Sequence, residues 1–194
     1  MSEVEVPNPE EMEEVKINPF TRRVALTTAI FAVILALSAL GGNNAMKEML
    51  LAQQLASDQW AFYQAKAIRE HFYRGQKMRL ELDLLERETL KPEVRQKYES
   101  LLKKMAAEEQ RYALEKKEIE HEARKLEHER DVNRAKDPYF DYAEVLLQIA
   151  IVLSSIAILA HSRLIFTFAM VSATLGAVLS ANGFLMLFHL PFLH

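Results

Sequence analysis

The chain has 194 residues, no cysteine, a formal net charge of -3, and 50% hydrophobic against 26% charged residues. The missing cysteines exclude disulfides, thiolate metal sites and cysteine nucleophiles. Residues 47–144 hold 20 Lys/Arg and 21 Asp/Glu, so the basic face of a nucleic-acid binder is missing and no nucleic-acid partner is expected.

Position carries more information than the averages. Residues 24–46, 145–160 and 164–188 contain no Asp, Glu, Lys or Arg, and every charge sits elsewhere. The mean hydropathy of -0.08 is therefore a cancellation between lipid-soluble blocks and charged blocks. An all-α protein is expected, with three transmembrane helices and a long charged antiparallel hairpin, coiled-coil-like, between spans one and two.

Residues 1–22 form an acidic tail, with Glu3, Glu5, Glu10, Glu11, Glu13 and Glu14 among Pro7, Pro9 and Pro19, and disorder is expected there. The first span, 23–46, follows Arg22 and Arg23. An uncharged run of 23 residues reaches about 34 Å as a helix, enough for a bilayer core. It is too long, and preceded by too much acid, for a signal peptide, so an uncleaved anchor is expected.

Residues 47–137 read as a helical hairpin with its turn near 89–93. Thr89-Leu-Lys-Pro-Glu-Val94 combines a stop with a restart, because Pro fits the first turn of a new helix. Gly75 is a candidate bend in the first arm. That arm is rich in Met46, Met49, Leu50, Trp60, Phe62, Tyr63, Ala67, Ile68 and Phe72. Aromatics on several faces call for more cover than one charged helix supplies, which points to a homo-oligomer built through Trp60, Phe62 and Tyr63. In the second arm Tyr98, Met105, Tyr112, Ile119, Leu126 and Asn133 recur every seven residues. The companion positions Leu102, Glu109, Lys116, Ala123 and Arg130 are weak for a two-stranded coiled coil, so a narrow seam is expected. Asp137-Pro138 reads as an N-cap with Pro at the first helical position, opening the second span at 138–160. A short turn at 161–163 leads to the third span, 164–190.

Small residues line the spans at helical spacing, most distinctively Gly176, Ser180 and Gly183 with Ala169 and Ala173. In lipid such stripes allow close helix packing, within a chain or between chains, and they are a second candidate oligomer surface. Arg22, Arg23 and Arg163 favour a cytoplasmic N-terminus and a periplasmic hairpin, while Arg130, Arg134 and Lys136 pull the other way.

Chemistry-bearing residues are sparse. His121 and His128 share a helix face but lie among Lys117, Arg124 and Lys125, which disfavours a divalent ion. Asp58, beside Trp60, reads as a helix cap or a polar contact between subunits. No catalytic, cofactor or metal constellation is visible, and no ionisable residue lies inside the spans to couple an ion. A non-enzymatic scaffold or envelope assembly is expected. The alternatives are a channel lined by Asn43, Asn44 or Gln148, or an accessory subunit serving an unidentified membrane partner.

Ser57-Asp-Gln-Trp-Ala-Phe-Tyr-Gln-Ala-Lys66 and Phe140-Asp-Tyr-Ala-Glu-Val-Leu-Leu-Gln-Ile-Ala-Ile-Val-Leu153 resemble a bacterial membrane family known as domain of unknown function 4337. The similarity extends over nearly the whole chain. It implies a bacterial membrane protein and supplies no catalytic residues; an inner-membrane location with lipid around the spans is expected.

Overall fold

The computed structural model describes residues 18–87 and 91–189. They form three helices: α1 (Pro19–Glu86), α2 (Pro92–Ala160) and α3 (Arg163–Leu185). Each contains an apolar window long enough to cross a membrane. There are no strands among the described residues.

The expected division into separate spans and hairpin arms is corrected at both junctions. α1 runs without a break through 46–47, so the first span and the first arm are one helix of 68 residues. α2 runs likewise through 137–138, with Pro138 inside a helix of 69 residues rather than at its start. A Pro inside a helix removes one backbone hydrogen bond. The residues immediately after it offset that loss, because Tyr139, Phe140, Ala143 and Leu147 are all fully or nearly fully buried. Gly75 produces no break in α1 either. Pro92 does open α2, while the centre of the expected turn, 88–90, and most of the acidic tail, 1–17, lie outside the described residues.

α3 ends earlier than the expected 190, at Leu185. Met186 takes the left-handed conformation (φ 49°) and its N–H donates to the Asn182 carbonyl at 2.7 Å. The Asn182 amide then brackets Phe188, donating to its carbonyl at 2.8 Å and accepting from its N–H at 3.1 Å. A buried side-chain amide thus satisfies backbone groups that a continuing helix would have paired. At the other end, Ser162 caps α3 by accepting from the Ile165 N–H.

The chain divides into two units, one comprising residues up to Ala45 and from Ala135 onward, the other Met46–Arg134. In the first unit the core is thin and built from small side chains. Phe31, Leu147, Ala150 and Ala173 form its cluster, with Ile34, Leu35 and Ile151 against it. The Ser38 hydroxyl donates to Ser180 at 2.7 Å, and the Ser172 hydroxyl to the Leu146 carbonyl at 2.7 Å. The Phe140 ring fills a slot between glycines. A Cβ on Gly41 would stand 2.6 Å from Phe140 and 2.7 Å from Phe184, and one on Gly183 would stand 2.9 Å from Phe140.

The second unit is an antiparallel pair. As partners climb α1 they descend α2: Gln53 meets Arg130, Trp60 meets Glu127, Lys66 meets Glu115, and Lys77 meets Glu109. α1 carries two interleaved series at seven-residue spacing: Met49, Ala56, Tyr63, Glu70, Lys77, Leu84, and Ala52, Gln59, Lys66, Tyr73, Leu80. Every one is buried or half-buried. The same holds for both series on α2, so the expected narrow seam is corrected to a full-width one.

Candidate interaction surface

The seam of the second unit is held by charges placed where apolar residues would ordinarily sit. Glu70 is only 4% exposed and receives the Lys116 ammonium at 2.6 Å and the Arg74 guanidinium at 2.7 Å. Glu109 receives Lys77 at 2.7 Å and Arg74 at 2.8 Å, and Lys66 reaches Glu115 at 2.5 Å. Hydrogen bonding from Lys116 holds the Glu70 carboxyl below its ordinary value, and bonds from Lys77 and Arg74 do the same for Glu109. Lys116 and Lys77 are correspondingly raised, chiefly by the bonds they donate to Glu70 and Glu109. Tyr73 and Tyr112 stack between these pairs with ring centroids 5.6 Å apart. No buried side-chain nitrogen or oxygen among the described residues lacks a partner. A buried charge is tolerated only on that condition.

Trp60 and Tyr63, expected at an interface between chains, are engaged inside the hairpin. The Trp60 indole N–H donates to Glu127 at 3.0 Å, and its ring meets Tyr63 edge-on at 5.4 Å. The Lys116 ammonium lies 5.6 Å from the Tyr63 ring. Phe62 differs, being 52% exposed with the Lys66 ammonium 4.9 Å from its ring centroid. Asp58 is exposed and accepts from the Gln54 amide at 3.1 Å.

Gly176, Ser180 and Gly183 are likewise covered within one chain. Gly176 abuts Leu147 and the Ala143 carbonyl, Ser180 bonds Ser38, and Gly183 receives Phe140. The small-residue stripe of α3 is spent on the chain's own α1 and α2.

The surface left uncovered in the second unit lies mainly on α1. Leu50, Leu51, Leu55, Phe62, Ile68 and Phe72 are all exposed. Each of Leu51, Leu55, Phe62 and Phe72 immediately precedes a seam residue.

Other candidates resolve more simply. His121 and His128 are exposed, and no group of three metal-ligating side chains exists among the described residues. Asn43, Asn44 and Gln148 are exposed, whereas Asn182 is buried in its backbone bracket. A cleft of about 630 Å³ lies between Leu84, Leu85 and Leu102, ringed by Glu81, Arg87, Arg95 and Glu99.

Residues 20–186 match the family described as Domain of unknown function (DUF4337). No curated protein and no solved structure matches the chain.

Proposed function

We propose that this chain, which belongs to the DUF4337 family, is a non-enzymatic homo-oligomeric scaffold anchored in the bacterial inner membrane by three helical spans. Its N-terminus lies in the cytoplasm and its coiled-coil-like hairpin in the periplasm. The observation that supports the reading is the exposed apolar stripe of α1 within the charged unit. Several large apolar side chains exposed along one helix face among polar residues mark a candidate interaction site in a soluble region.

The anchor rests on a different pattern. Leu26, Ile30, Val33 and Leu37 on α1, Val145, Ile149, Val152 and Ile156 on α2, and Leu164, Phe168, Val171 and Leu175 on α3 all face outward. The inside of this unit is lined mostly by Ala, Ser and Gly, with Phe31, Phe140 and Leu147 set among them. Large apolar outside and small inside is the packing arrangement lipid favours, since burial between helices gains little there.

Multi-angle light scattering of detergent-solubilised protein, corrected for bound detergent, tests oligomerisation. A discrete multiple of the 22.3 kDa chain is expected, and a strict monomer contradicts it.

A further inference from the structure

We infer that the buried charges of the second unit are a register lock: Glu70 and Lys77 on α1, met by Lys116 and Glu109 on α2, admit one alignment of the two arms and reject its neighbours. The lock lies within Met46–Arg134 and acts in a single chain. A seam that repeats every seven residues needs such a device, because sliding one arm by seven brings the same faces together again. In the observed register Lys116 reaches Glu70 at 2.6 Å and Lys77 reaches Glu109 at 2.7 Å, with Tyr73 stacked on Tyr112 between them. One repeat further on, Leu84 falls opposite Leu102, and both line the cleft of about 630 Å³. By the same count Glu86, the last residue of α1, falls opposite Ser100, while α2 begins eight residues earlier at Pro92. α2 therefore outruns α1 by about 12 Å, and the residues from Lys91 to Lys97 are all exposed. A slip of seven residues that sets Glu86 opposite Glu93 would remove nearly all of that overhang. Helix length thus favours the slipped register, and something else must oppose it.

The charges supply that opposition. The slip sets Glu70 opposite Glu109, Lys77 opposite Leu102 and Lys116 opposite Tyr63. Of Lys116, Lys77 and Arg74, which serve the two carboxylates, Arg74 alone would remain beside them. Glu70 is 4% exposed, so water screens a facing carboxylate poorly there. The opposite slip sets Lys77 against Lys116 and leaves Glu70 against Ala123. Each direction creates one like-charge pair, because the signs alternate along both arms. The flanking pair of Lys66 with Glu115 has no such selectivity. Glu108, Glu115 and Glu122 recur every seven residues, so a slip either way offers Lys66 another Glu. The lock therefore resides in the inner four residues. It makes the hairpin a strut of fixed length whose cleft stays beside the end of α1, rather than two arms that slide to relay a displacement.

Reversing one pair tests the order of the charges without changing their number. Glu70→Lys with Lys116→Glu keeps both ion pairs in the observed register, yet makes both inner positions of α1 basic and both of α2 acidic. Position 70 then attracts Glu109 after the slip, and the lock is lost. The chain has no cysteine, so disulfide trapping reports the register directly. Ala56→Cys and Ala123→Cys stand opposite one another only after the slip. As the arms stand, those positions are offset by seven residues, about 10 Å along the axis, whereas a disulfide needs Cα atoms within about 7 Å. Read as the oxidised single-chain species, the 56–123 link should form about tenfold faster with the reversed charges than with the native ones. Glu109→Lys should act likewise, since it faces Lys77 with a cation as the arms stand and Glu70 with one after the slip. Met49→Cys with Ala123→Cys stays out of reach in both registers and measures general loosening, while circular dichroism checks that the helices are retained. Equal 56–123 rates with native and reversed charges would overturn the inference, as would a 49–123 link that rises in step. Rapid 56–123 linking with the native charges would show arms that slide freely and overturn it too.

Discussion

The two units bring helices together by opposite means. In the first, Ala, Ser and Gly let backbones approach around a few buried large side chains such as Phe31, Phe140 and Leu147, most other large apolar side chains point outward, and the polar contacts include short hydroxyl bonds such as Ser38 to Ser180. In the second, charged groups occupy the seam and pair across it, Glu70 with Lys116 and Lys77 with Glu109. The difference follows from the medium each unit is suited to. Where lipid surrounds a helix, apolar burial supplies little drive and close fit must supply it. Where water surrounds it, burial drives association and charges can specify register.

That contrast predicts different sensitivities, the largest being steric. Gly41→Leu places side-chain atoms where Phe140 and Phe184 already stand, since even a Cβ would lie 2.6 Å from the former. It should destabilise the first unit by about 1–3 kcal/mol or more, read as a fall in the thermal midpoint of detergent-solubilised protein. A substitution of equal size at exposed Leu82 in the second unit should leave that midpoint nearly unchanged.

Lys116→Met removes one of the two cations on buried Glu70 and should cost about 1–3 kcal/mol, chiefly through the carboxylate left under-satisfied. The same pairs give the second unit a pH dependence. Glu70 and Glu109 have native pKa values below their unfolded ones, so their stabilisation is fully present above the unfolded Glu range. It is lost as pH falls through the lower native values. Acid titration followed by circular dichroism should therefore show the midpoint falling below about pH 4, and falling less steeply in Lys116→Met. Equal slopes would mean that Glu70 does not carry the effect.

The smallest effect is expected at Gly75. A Cβ there meets nothing within 4 Å, and the residue sits mid-helix, so Gly75→Ala should stabilise by about 0.5–1 kcal/mol. A loss of stability would indicate a bend that α1 does not show.

Much of the fold was legible because charge-free runs and the seven-residue repeat from Tyr98 to Asn133 are local signals. The continuity of α1 and α2 was not. Asp137-Pro138 has the chemistry of a helix start, and only the burial of Tyr139 and Phe140 immediately after it carries the helix through. The repeat on α1 was hidden by Gln59, Lys66, Glu70 and Lys77, which break an apolar pattern when one arm is read alone. Compared across the arms, the breaks are complementary: Glu70 faces Lys116, and Lys77 faces Glu109. Trp60 and Tyr63 drew attention as aromatics, yet the Trp60 indole N–H already has Glu127 and the Tyr63 ring already has Lys116 as a partner on α2. The outward stripe needed the inner seam to be known first, because the two differ by a single residue in phase.

Self-association through that stripe is tested most directly by the solution mass of Phe62→Glu beside the wild type. Phe62 is half exposed and outside the seam, so the charge should leave the hairpin folded. The wild type should scatter as a discrete multiple of the chain mass and Phe62→Glu as a single chain at the same concentration. An unchanged multiple in the variant, with its helicity intact, would place the contact elsewhere on the molecule.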